Sequence, residues 1–129
     1  MTPETARRIC LSLDGSSEDM PFGPDTLVFR VATKIFALLP LEADPATMNL
    51  KCDPDRALQL RERYSGITPG YHMNKRHWNT LELSGDVPDA VIEELIVHSY
   101  GLVSHSLPRA AREALKVADV KGSTTGAAT

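Results

Sequence analysis

The sequence lacks most of the features that assign a function at sight. Its apolar runs are short, Phe36 to Leu39 and Leu95 to Val97 among them, whereas a membrane-spanning helix needs roughly 20 consecutive apolar residues. The segment Met1-Thr2-Pro3-Glu4-Thr5-Ala6-Arg7-Arg8 carries arginines with no apolar stretch behind them, so a secretory leader is not expected. The protein therefore reads as cytoplasmic. Cys10 and Cys52 form no CxxC pair, which favours two reduced, buried thiols over a redox or metal role. There is no Gly-x-Ser-x-Gly elbow, phosphate loop or dinucleotide fingerprint. The chain reads as a binding protein rather than an enzyme, with no catalytic residue and no cofactor assigned.

Positive charge is also in short supply. The formal net charge of -3 argues against strong non-specific binding to nucleic acid, because phosphate neutralisation dominates such affinity. A local basic patch remains compatible with that balance.

What is present describes one ordinary domain. The chain has 129 residues, 42% of them hydrophobic and 24% charged, enough to build a core without disulfides or metals. Residues 1–118 read as that single domain, and 119–129 as a disordered tail of small polar residues. With no obvious apolar surface stripe, a monomer is expected.

Local signals place the elements. Thr2 suits a helix cap, with Pro3 at the first helical position. Ala6, Ile9, Cys10 and Leu13 then recur on one helical face, and Gly15 ends it. Residues 18–52 read as sheet. Phe22-Gly23-Pro24-Asp25 forms a turn, Thr26 to Ala32 and Lys34 to Leu39 are strands, and Thr47 to Cys52 alternates. The Ala32-Thr33 junction lacks the Gly or Asn that a tight hairpin prefers, which suggests a longer or distorted loop. Asp53-Pro54 opens a second helix that runs to about Tyr64. Residues 67–79 read as a long loop or wide hairpin leading into a strand from Trp78 to Leu83. There Leu81 and Leu83 point one way, and Trp78, Thr80 and Glu82 the other. Ile92, Leu95, Ile96, Ser99, Leu102 and Val103 mark a long amphipathic helix, followed by a last helical piece from Pro108 to Val117. The expected architecture is α+β, an antiparallel sheet with helices packed on one face and the other face partly open.

Several blocks carry a family resemblance. They are Phe22-Gly23-Pro24-Asp25-Thr26-Leu27-Val28-Phe29, Asn49-Leu50-Lys51-Cys52-Asp53-Pro54, Pro69 through Thr80, Gly85-Asp86-Val87-Pro88-Asp89 and Ser99-Tyr100-Gly101-Leu102-Val103. The chain resembles the MmcQ/YjbR family over about residues 4 to 118. The resemblance implies a CyaY-like (frataxin-like) fold and a proposed DNA-binding surface built from two wing-like loops. It also implies a link to antibiotic biosynthesis through one namesake, and no settled catalytic residue. Members often carry glycines in the turn where this chain has Ala32-Thr33.

The strongest candidate site is the block from Tyr71 to Asn79. Lys75 and Arg76 can contact phosphates, Arg with two parallel hydrogen bonds. His72, Asn74, His77 and Asn79 offer hydrogen-bonding groups, and Tyr71 and Trp78 offer flat faces for stacking. Lys51 and Asn49 extend this patch if their strand neighbours that of Trp78. The competing reading makes Trp78 a core anchor, with Asn74 and Asn79 bracing the loop. His72 and His77, like His98 and His105, lack the carboxylate or cysteine company of a metal site, so no metal is expected. Nor does the first helix show a strong acidic ridge of the frataxin kind, since Arg7 and Arg8 lie between Glu4 and Asp14. Two functions follow from these residues. The first is DNA binding through the basic-aromatic loop. The alternative is binding of a small molecule, a natural product or drug, in a resistance role without nucleic acid.

Overall fold

The first helix starts where the sequence places it. In this computed structural model, which describes residues 1–70 and 73–121, the Thr2 hydroxyl accepts a hydrogen bond from the Thr5 amide at 3.1 Å. This caps α1, Pro3–Ser12. Four strands follow: β1 Ser16–Asp19, β2 Thr26–Val31, β3 Lys34–Pro40 and β4 Thr47–Lys51. Asp53 caps α2, Pro54–Arg63, by accepting from the Arg56 amide at 3.1 Å. The chain continues through β5 Ile67–Pro69, β6 Trp78–Glu82, α3 Asp89–His105 and α4 Arg109–Lys121.

The strands form one antiparallel sheet in the order β1-β2-β3-β4-β6-β5. One face is covered by α1 and α3, which also touch each other. Between them lie Phe29, Val31, Phe36, Leu39, Met48, Leu50, Leu81 and Ile96, all essentially removed from solvent. Each such side chain contributes roughly 1.5–3 kcal/mol by leaving water. A bulge between Phe29 and Arg30 in the β2–β3 register brings both Phe36 and Ala37 into the core. There the Phe36 ring meets Tyr100 of α3 edge-on, with centroids 5.6 Å apart.

Helix α3 also enters the sheet chemically. The β3–β4 ladder pairs Ala37 with Leu50 and Leu38 with Asn49. Beyond it, the buried Ser99 hydroxyl accepts from the Lys51 amide at 2.9 Å and donates to the Phe36 carbonyl at 2.6 Å. A side chain thus replaces a direct strand-to-strand bond.

Three expectations need correction, and one alternative is decided. The β2–β3 connection is tight, with Val31 opposite Lys34 and Ala32 held at φ +55°. The first strand is Ser16–Asp19 rather than a segment starting at 18. Of the long loop and the wide hairpin expected for residues 67–79, the wide hairpin forms, with Ile67–Pro69 as an edge strand paired to β6. The bounds of that strand were not legible, because Pro69 and a length of three residues give no periodicity. Finally, α4 extends past Val117 to Lys121, and the rest of the expected tail lies outside the described residues.

Candidate nucleic-acid interface

Strand alternation leaves one sheet face without a helix over it. A continuous row crosses it from β1 to β5: Asp19, Val28, Leu38, Asn49, Thr80 and Thr68 are successive cross-strand partners, with Val28 and Asn49 buried within the row and Asp19 and Thr68 exposed at its ends. Within the row the Thr80 hydroxyl bonds the Asn49 side-chain oxygen at 2.5 Å. Beside it, Arg30 pairs with Ile35 and Lys51 with Trp78. Trp78 is half-buried on this open face, not an anchor of the main core. Its other cross-strand neighbour is Gly70, whose amide donates to the Trp78 carbonyl at 2.8 Å. A Cβ at Gly70 would stand 2.8 Å from the Trp78 Cβ, closer than packed carbons allow, so the indole's place requires glycine there.

The loop before β6 is braced from several sides. The Asn74 side chain accepts from the Arg76 amide at 3.0 Å, and its carbonyl accepts from Trp78 at 3.0 Å. The Cys52 amide donates to the His77 carbonyl at 2.7 Å, tying the loop to the end of β4. The Lys75 ammonium donates to the Gly70 carbonyl at 3.1 Å. Arg61 of α2 completes the brace. Its Nε donates to Asn79 Oδ1 at 2.7 Å, and its Nη2 donates to the carbonyls of Lys75 and Trp78.

These contacts divide the sequence candidates. Lys51 and Trp78 are neighbours on the open face, with exposed Lys75 and Arg76 on the adjoining loop and His77 half-buried beside them. Asn74 is a loop brace. Asn79 requires a correction: it turns to the helix side, is 1% exposed and is held by Arg61, so it cannot serve a ligand on the open face. Tyr71 and His72 lie outside the described residues. Sequence reasoning missed Arg61, because no spacing rule links the last turn of α2 to a strand 18 residues later. It also missed Lys34, which the hairpin carries to the same end of the sheet.

Charge is divided along the strands. The β2–β3 turn, the end of β4 and the β5–β6 loop share one end, where Lys34, Lys51, Lys75 and Arg76 stand. Among the described residues none of these four is in an ion pair. The loops at the opposite end, 20–25, 41–46 and 83–88, carry Asp25, Glu42, Asp44 and Asp86 and no Lys or Arg. About 20 Å of strand separates the ends, roughly twice the Debye length at physiological salt. The distant carboxylates therefore do not cancel the cations, and a chain of net charge -3 presents a cationic margin at Lys51, Lys75 and Arg76, with Asp53 and Asp55 at the start of α2 as carboxylates of the same end.

Other chemistry is sparse. Burial pushes the Cys10 thiol up to about 12 and raises that of Cys52, so neither is a ready nucleophile. Among the described residues, no three His, Cys, Asp or Glu side chains gather to hold a metal ion. No described helix is long and apolar enough to cross a membrane. Two depressions lie away from the loop. One, of about 500 Å³, is lined by Thr5, Arg8, Ile9, Asp89 and Glu93. The other, of about 580 Å³, is lined by Tyr100, His105, Arg109 and Arg112.

A six-stranded α+β domain with one open sheet face and a cationic loop margin is the class that fold and site define. Comparison with known proteins makes it specific: the YjbR family model matches residues 11–102, and the chain belongs to that family. It is 38% identical to the uncharacterized protein YbdF of Escherichia coli O157:H7, over 82% of this chain and 87% of YbdF. With the uncharacterized protein YjbR of Escherichia coli K12 it shares 29% identity, over 89% of this chain and 98% of YjbR. A crystal structure of a Deinococcus radiodurans protein with a DUF419 domain superposes with TM-score 0.83 at 38% identity, covering 89% of this chain and 91% of that one. A Pseudomonas syringae protein gives TM-score 0.71 at 31% identity, covering 80% and 99%.

Proposed function

We propose that this protein is a monomeric, cytoplasmic nucleic-acid-binding module, DNA being the first candidate, built on a CyaY-like frame. The frame is supported by α1 and α3 lying together on one face of the antiparallel sheet. The observation that carries the function is the cross-strand pair Lys51–Trp78 beside Lys75 and Arg76, three cations that form no ion pair among the described residues. Lysine and arginine supply phosphate contacts, and the indole supplies a stacking surface. The test is a titration of Trp78 fluorescence with single-stranded and duplex DNA at two salt concentrations, backed by gel retardation. Binding should weaken as salt rises, and Lys75→Ala with Arg76→Ala should weaken it further and flatten the salt slope. Undiminished binding by that double variant, or none by the parent, rejects the proposal.

A second reading, a small-molecule binder with a role in drug resistance, draws on the depression lined by Tyr100, His105, Arg109 and Arg112. It predicts a rise in Tm with a natural-product ligand. A broad screen without a shift counts against it.

A further inference from the structure

The open face is too broad to enter a DNA groove. Six strands at about 4.8 Å spacing make a surface about 24 Å across, twice the roughly 12 Å width of a major groove. Trp78 does not project from a loop tip that could reach into a groove. It lies within the sheet, one strand in from the β5 edge, with Gly70 on one side and Lys51 on the other. A base in a duplex already has both faces stacked, and it offers such an indole nothing to stack on. Only an unpaired base can lie flat against it.

The surroundings fit an unpaired strand as well. On the open face of β6 the residue next to Trp78 is Thr80, in the row that carries Asn49 and the exposed Thr68. Asn49 is buried and takes up the Thr80 hydroxyl, so the exposed Thr68 is the neutral hydrogen-bonding group of this row that can meet a base edge. The cations lie to one side, with Lys51 beside the indole and Lys75 and Arg76 on the loop margin. That spacing lets a backbone follow the margin while a base turns inward. A few cations outside any ion pair among the described residues, on a chain of net charge -3, also suit a ligand of lower charge density than duplex DNA.

We infer that the ligand is single-stranded nucleic acid, bound across the open sheet face with one base stacked on Trp78 and its phosphates along Lys51, Lys75 and Arg76. This rests on the nucleic-acid reading above and names its substrate class.

The test uses the full chain and three labelled probes followed by anisotropy: a twelve-residue oligothymidylate, the same strand annealed to oligoadenylate, and a twelve-residue oligouridylate. A single strand should bind at least tenfold more tightly than the duplex, and the tighter of the two single strands identifies the sugar. Trp78→Leu, which keeps apolar bulk without a π-face, should lose about tenfold or more in affinity, while Trp78→Phe retains most of it. Circular dichroism confirms that both variants are folded. Duplex binding as tight as single-strand binding, or Trp78→Leu binding like the parent, overturns this inference and leaves nucleic-acid binding standing. Binding to none of the three probes overturns both.

Discussion

The Arg61 guanidinium and the Asn79 amide form one hydrogen-bonded unit, with Nε 2.7 Å from Oδ1, and that unit fixes the loop leading into Trp78. Asn79 is 1% exposed, so without Arg61 its oxygen has no access to water. The same guanidinium also serves the carbonyls of Lys75 and Trp78. Arg61→Ala should therefore cost about 1–3 kcal/mol, the usual penalty for orphaning a buried acceptor. Arg61→Lys should recover little, because one ammonium cannot span three acceptors fixed for a planar fork. Urea unfolding measures the loss. Amide exchange at Arg76 to Trp78 should quicken more than in α1, which locates the effect in the loop.

Ser99 carries a comparable load in the sheet. Its hydroxyl is fully buried and joins the Lys51 amide to the Phe36 carbonyl. Ser99→Ala leaves a donor and an acceptor unpaired in the core, for an expected loss of about 1–3 kcal/mol. Because Lys51 is the partner of Trp78, the variant should also shift the Trp78 emission spectrum in the folded state. A stability loss below roughly 0.5 kcal/mol, the level of a neutral surface change, would show that β3 and β4 close the gap themselves.

Much of the fold was legible because the chain states its local rules openly. The Thr2 and Asp53 caps, the prolines after them and the alternation of Met48 and Leu50 all point to the elements that form. The candidate site was legible only as composition. That Lys51 neighbours Trp78 depends on β6 pairing with β4 along the edge that β5 leaves free, a non-local choice no residue pattern announces. Asn79 looked like a ligand-facing amide until strand alternation turned it inward, opposite to Trp78. Arg61 is an ordinary helix-end arginine in sequence, and only the folded loop gives it acceptors.

The turn at Ala32 shows the reverse situation, a local rule broken and the fold kept. Ala32 has φ +55° at the first of two turn residues, a conformation that favours glycine. The Arg30 guanidinium donates to the Thr33 carbonyl at 3.0 Å and supports the turn. Ala32→Gly should stabilise the protein by about 0.5–1 kcal/mol, since relief of the left-handed strain outweighs the added freedom of the unfolded chain. Ala32→Val should destabilise it, because branching at Cβ aggravates the same clash. Thermal unfolding of the pair should move Tm in opposite directions.

Acid sensitivity near neutrality should trace to His98. Its Nε2 accepts from the Asp53 amide at 3.2 Å, a bond that only the neutral imidazole can form. Burial, and then the nearby Arg56, hold its pKa below the ordinary 6.5, against the smaller opposing pull of Asp53 and Glu94. The unfolded chain therefore takes up the proton more readily than the fold. The stability this confers is complete above the ordinary value of 6.5 and declines as pH falls from there through the lowered folded value. His98→Gln keeps an acceptor without a titration, and should flatten the stability profile in that window. Urea midpoints from pH 8 to 5 make the comparison, with pH as the only variable. A parallel fall in parent and variant would assign the acid sensitivity to another group.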